Sequence, residues 1–197
     1  MKINSIENLI NKLTLFPGIS KKQAEKMSNF LLIKDQNYLN DLINSFEQIK
    51  KRLSFCNDCN YIKEDNICLN CKNLTFNNEI LMIVESIQAV NKLINNQIFN
   101  GIFYVMPYLI DAKMQANDNK IEFEHLINYL SKNKFKEVII VLSPTLQGEL
   151  TTNLLINKLN QENIKCSRAA IGMPINSNID YLDPFTIKES IINRKNK

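Results

Sequence analysis

The chain has no tryptophan, one histidine, four glycines and five prolines in 197 residues. No apolar run approaches the ~20 residues that a membrane-crossing helix requires, which excludes a transmembrane helix. Nor does a continuous apolar block precede a small-residue cleavage site at the N-terminus. The opening stretch "MKINSIENLINKL" spaces its apolar residues helically between Asn and Glu. It is expected to be mature protein in the cytoplasm. The tripeptide pattern DxD occurs nowhere, so the clustered carboxylates of two-metal phosphoryl transfer are missing in that form. Against these absences stand five cysteines, four of them in "CNDCNYIKEDNICLNC", residues 56 to 71.

Hydrophobic residues make up 45% and charged residues 22%, ordinary values for a globular protein. The length allows one large domain or a compact domain with small modules. Net charge is +4, unevenly spread: residues 1 to 55 hold nine Lys/Arg against five acids, and residues 56 to 79 hold two against four. A basic N-terminal part fits nucleic-acid contact, though solvated lysines on a helical surface fit it as well.

Residues 1 to 54 read as helices. Ile6, Leu9, Ile10 and Leu13 form one stripe, and Leu39, Leu42, Ile43, Phe46, Ile49 and Leu53 another at three- and four-residue spacing. From Ile80 onward buried-strand runs, "EILMIVES", "GIFYVM", "EVIIVLS" and "KCSRAAIG", alternate with helical segments. That alternation predicts a mostly parallel sheet, with functional residues at the carboxyl ends of its strands. "PYLIDAKMQANDN", residues 107 to 119, lacks periodicity and is expected to be a long surface loop.

The cysteine spacing is C-x2-C-x8-C-x2-C, formed by Cys56, Cys59, Cys68 and Cys71. Two CxxC turns can present four thiolates to one ion, as structural Zn²⁺ requires, and four protein ligands leave no position for a reactive water. An iron–sulfur cluster is the other occupant such a set allows. Cys166, in a predicted strand, reads as a buried small apolar residue. "FPGISKKQAEKMSNFLL" has the form of a helix-hairpin-helix: a Pro17-Gly18 turn leads into a helix whose free amides can hold a phosphate. Lys22 and Lys26, four apart, share one face of that helix. A plain Pro-Gly connection in a helical bundle would look similar.

The strand "LMIVES" delivers Glu85 to its carboxyl end. This resembles the Toprim domains of topoisomerases and primases, in which such a glutamate works with a DxD pair on a later strand to bind Mg²⁺. Here the later strand ends in "VLSPTLQGE", with Ser143 and Thr145 at the acid positions and Glu149 nearby. A binding role is expected for Glu85, the alternative being a solvated or helix-capping acid.

The order of parts, with "SPTLQGELTT" and "SRAAIGMPINSNIDYLD" near the C-terminus, resembles the RecR family of bacterial recombination-repair proteins over essentially the whole chain. That family's turn reads roughly LPGIGPKSAQRMA against "FPGISKKQAEKMS"; Pro17, Gly18, Ile19, Lys22, Ala24 and Met27 match, Lys26 replaces an arginine and Ser20 a glycine. Its NPTVEGEAT is similar to "SPTLQGELT", with Gln147 in place of a glutamate, and Arg168, Gly172 and Pro174 match a later segment. Residues 106 to 119 and the Asn176-Ser177 pair depart from the family pattern.

The resemblance implies an α/β multi-module protein: a helical helix-hairpin-helix region (1–54), a small four-cysteine zinc finger (55–78), a Toprim-like α/β domain (79–170) and a C-terminal segment for oligomerisation (171–197). It implies a non-enzymatic DNA-binding mediator, a ring-shaped homo-oligomer, commonly a tetramer, that acts with RecO and RecF to load RecA at single-stranded gaps. Gly18, Lys22 and Lys26 would face DNA, Cys56, Cys59, Cys68 and Cys71 would hold one zinc ion, and Glu85 and Glu149 would face RecO or Mg²⁺. The competing expectation is a Mg²⁺-dependent Toprim nuclease or other phosphoryl-transfer enzyme, and a third is an adaptor that contacts only its protein partners.

Overall fold

The computed structural model describes residues 3–111 and 123–194. The chain divides into two compact units, residues 1–53 and 54–197.

The first unit is helical: α1 (Asn4–Leu13), α2 (Lys21–Leu32) and α3 (Gln36–Arg52). α1 packs against α2 across the Pro17-Gly18 connection. Gly18 has φ +80°, a left-handed conformation that a side chain resists. Ser20 sits at φ −74° and ψ 160°, which any residue adopts, so the turn has no need of a second glycine. Its hydroxyl accepts from the Gln23 amide at 3.3 Å while the Gln23 side chain accepts from the Ser20 amide at 2.8 Å, a reciprocal capping box. Asp35 caps α3 by accepting from the Tyr38 amide at 2.8 Å. Within this unit only Ile10, Ala24 and Ser28 are buried among the described residues. The apolar stripes stay open: Ile43 and Phe46 are 52% and 55% exposed.

The second unit opens with a small three-stranded sheet of β1 (Leu53–Phe55), β2 (Ile62–Glu64) and β3 (Ile67–Cys68). β2 and β3 form an antiparallel hairpin in which Glu64 pairs with Ile67. Its two turn residues, Asp65 and Asn66, both have positive φ, the backbone that a tight hairpin between right-twisted strands requires.

The larger sheet contains β4 (Asn77–Val84), β5 (Gly101–Val105), β6 (Glu137–Val141) and β7 (Cys166–Arg168), in the order β5-β4-β6-β7. All three pairings are parallel, as the alternation of strands and helices predicts. The connections carry α4 (Ile87–Asn95), α5 (Glu124–Asn133) and α6 (Leu146–Gln161), and α7 (Pro184–Ile192) follows the last strand. Every residue of β5 and the last four of β4 are buried, which is why those strands read as continuous apolar runs. β7 is three residues long, shorter than "KCSRAAIG", and Cys166 is partly rather than fully buried. Of the expected loop at 107 to 119, residues 107–111 lack regular structure and the remainder lie outside the described residues. No helix among the described residues is long and apolar enough to cross a membrane.

Candidate metal centre and nucleic-acid interface

The hairpin turn and the two CxxC turns bring the Sγ atoms of Cys56, Cys59, Cys68 and Cys71 within 4.8 Å of one another. Cys59 and Cys68 lie 3.6 Å apart. A tetrahedron built on metal–sulfur bonds of about 2.3 Å has edges of about 3.8 Å, so the set could hold one metal ion and fits a zinc finger. Three of the thiols are buried and Cys71 is partly so. Cys68 accepts the Cys71 amide at 3.3 Å. The same hydrogen bonding divides the protons unevenly: the bond with Cys68 holds the Cys59 thiol well above its usual pKa, and the bonds from Cys59 and Cys71 pull Cys68 well below. Sulfur binds metal as the thiolate, so loading the cluster would release the protons that these bonds share.

The knuckle is seated on an edge strand of the large sheet. An edge strand leaves the outward amides and carbonyls of alternate residues unpaired, and on β5 those include the groups of Phe103 and Val105. Asn70, fully buried, donates to the Phe103 carbonyl at 2.7 Å and accepts from the Phe103 amide at 2.9 Å. Val105 donates to the Cys59 carbonyl at 2.9 Å, and Asn60 donates to the Val105 carbonyl at 2.9 Å. The amides and carbonyls of Phe103 and Val105 thus find partners in the knuckle, satisfying that part of the backbone where water cannot.

Aromatic side chains complete the seat. Tyr61 donates to Asn91 of α4 at 2.7 Å, and the Tyr129 hydroxyl of α5 lies 3.7 Å from the Cys71 sulfur. His125 Nε2 is 2.6 Å from the Asn57 carbonyl, an acceptor only, so Nε2 carries the proton. Tyr104, pushed up to about 12 chiefly by burial, keeps its proton and donates to His125 Nδ1 at 2.7 Å. Nothing in the sequence singled out Asn60, Asn70 or His125, because their role depends on which strand becomes the sheet edge.

The carboxyl ends of β4 and β6 come level at Val84 and Val141. Just beyond them Glu85 accepts two bonds from Ser143, one from the amide at 3.0 Å and one from the hydroxyl. Ser86, rather than Glu85, caps α4 by accepting from the Ala89 amide at 3.1 Å. Glu149, in the first turn of α6, pairs with Arg168 at the end of β7: Nη1 donates to Oε2 at 3.0 Å and Nη2 to Oε1 at 2.7 Å. Thr145 caps α6 by accepting from the Gly148 amide at 3.1 Å. A Cβ at Gly148 would sit 1.9 Å from the Ser143 carbonyl oxygen, a physical reason for the glycine in "SPTLQGE". The Arg168–Glu149 pair was recoverable from sequence: consecutive parallel strands joined by a helix bring the end of the second strand to the start of that helix.

Lys22 and Lys26 are exposed on α2, one turn apart, Lys22 in its first turn and Lys26 at its middle. Gly18 shapes the turn that leads into the same helix.

A four-cysteine knuckle docked on a parallel sheet whose strand ends carry a glutamate defines a zinc-finger protein with a Toprim-like domain. The family model described as Toprim domain matches residues 79–170, and the one described as RecR, C-terminal, matches residues 172–195. The recombination protein RecR of Mycoplasmopsis pulmonis is 38% identical over 99% of this chain and 100% of its own length. Those of Amoebophilus asiaticus and Carboxydothermus hydrogenoformans are 30% and 29% identical over 96% of this chain, covering 94% and 96% of their own lengths. The chain belongs to the RecR family.

Proposed function

We propose that this protein is a cytoplasmic, non-enzymatic recombination mediator that binds DNA as a ring-shaped homo-oligomer, most simply a tetramer, and acts with RecO-like and RecF-like partners to load RecA at single-stranded gaps. Full-length similarity to recombination proteins named RecR carries this reading. Lys22 and Lys26, exposed on one face of α2 beside the Gly18 turn, support phosphate contact there, while the capping box already engages the Ser20 and Gln23 amides and leaves the contact mainly to the lysines. Zinc is the proposed occupant of Cys56, Cys59, Cys68 and Cys71: four sulfur ligands leave no open position, so the metal is structural and catalyses nothing. The region boundaries proposed are 1–54, 55–78, 79–170 and 171–197, the last serving assembly.

Exposed apolar side chains in both units support assembly. In the first unit the stripes of α1, α2 and α3 border an apolar groove of about 830 Å³. In the second, Ile175 and Tyr181 are 93% and 88% exposed, and Ile191 and Ile192 are each 57% exposed on α7. A ring gives each chain two neighbours, and exposed apolar surface in each unit suits such contacts. Repeated phosphate contacts around such a ring would strengthen the contribution of one modest hairpin.

Incubating the purified protein with labelled gapped DNA and Mg²⁺ or Mn²⁺ separates this reading from a Toprim nuclease. The DNA is expected to be bound and left intact; cleavage that disappears in Glu85→Ala would overturn the proposal.

A further inference from the structure

The Toprim class implies Mg²⁺ at the carboxyl edge of the sheet, and the residues present do not fit it. Mg²⁺ demands near-octahedral oxygen coordination. At the positions where acids would complete such a set stand Ser143 and Thr145, and Thr145 is engaged as the cap of α6. Among the described residues, the one group of three or more His, Cys, Asp or Glu side chains that converges tightly enough for a metal is the cysteine cluster.

The two glutamates that are present are already satisfied by the chain itself. Both oxygens of Glu85 accept from Ser143, and both oxygens of Glu149 accept from Arg168. The second pair is half-buried, with side-chain exposures of 32% and 23%. Arginine suits this role because its planar fork meets both carboxylate oxygens at once and stays charged at any working pH. Arg168 takes up one acceptor position on each Glu149 oxygen, so a divalent cation there would have to share the carboxylate with a guanidinium and meet its like charge, or displace it and leave that charge without its partner.

We propose that this edge is metal-free, with Arg168 supplying the positive charge and Ser143 the hydrogen-bond donors that a bound cation would provide to the two glutamates. The ends of β4, β6 and β7 and the start of α6 are then tied together by internal contacts whose strength does not vary with the concentration of divalent ions. Hairpin binding to DNA is independent of this, so either proposal can fail without the other.

The test uses the full-length, zinc-loaded protein and Mn²⁺ as the probe, with bound ion counted from the loss of the free-ion electron paramagnetic resonance signal. Wild type, Glu85→Gln and Glu149→Gln are expected to take up the same amount of Mn²⁺ across the millimolar range. A saturable site of one ion per chain in wild type that either substitution removes would overturn the proposal. Ser143→Asp/Arg168→Gln, which restores an acid and withdraws the internal cation, is expected to gain one saturable Mn²⁺ per chain and to rise in Tm when Mn²⁺ is added. A folded double variant with no such gain would contradict the role given to Arg168; if it does not fold, the wild-type comparison still decides.

Discussion

Asn70 does what a short strand would do. Fully buried between Cys68 and Cys71 of the four-cysteine cluster, it exchanges a donor and an acceptor with the backbone of Phe103. Replacing it with alanine leaves one buried amide and one buried carbonyl unpaired, each costing about 1–3 kcal/mol. Asn70→Ala is therefore expected to lower the unfolding free energy by about 2–6 kcal/mol, read from the denaturant midpoint of the metal-loaded protein. Leu69, a near neighbour that is 47% exposed, serves as the control and should change little on substitution by alanine. The sequence offers no hint of this role, since Asn70 is one asparagine in an asparagine-rich chain. The four cysteines beside it are legible because metal chemistry fixes both residue type and spacing, whereas a hydrogen bond to an edge strand fixes neither.

Among the elements, α2 shows how a departure from a motif can carry its own physical reason. Ser20 stands where the family turn has glycine, yet its backbone is extended and its side chain closes a capping box with Gln23. Ser20→Ala is expected to cost about 1 kcal/mol of helix stability, visible as faster amide exchange at Gln23, with Ser20→Gly milder than Ser20→Ala. The helices and the parallel strands were readable from their apolar patterns, because β4 and β5 end in runs buried on both faces and each helix of the first unit carries one apolar stripe, whether or not it is covered within the unit. The extent of β7 was not: its pairing stops once Ala169 has donated to the Ile140 carbonyl at 2.9 Å, and "AAIG" keeps an apolar composition without a partner strand. The Ser143–Glu85 contact was likewise hidden, since it depends on β4 and β6 being neighbours, which an order of β5-β4-β6-β7 fixes only in three dimensions.

For the whole molecule, the metal and the exposed apolar faces set the expectations. The knuckle holds the open edge of β5 through Asn60, Asn70 and the Cys59 carbonyl, so losing the ion should loosen the second unit as a whole. Cys56→Ser or Cys68→Ser is expected to reduce metal content from one ion per chain and to lower Tm and native mass together. A variant that stays folded and assembled, and loses DNA binding alone, would show that the knuckle reads DNA instead of holding the fold. Native mass of the unmodified protein should exceed that of one chain, because the first unit buries few side chains of its own and leaves its apolar groove open. The central claim is that DNA is held by phosphate contacts from the α2 face. It is tested most directly by measuring the affinity of wild type and Lys22→Ala/Lys26→Ala for labelled gapped DNA over a range of salt concentrations. Each lost contact should flatten the slope of log affinity against log salt by about 0.7–0.9. The double variant is therefore expected to bind more weakly and with a shallower slope at unchanged metal content, and equal affinity and equal slope in the two proteins would contradict the account.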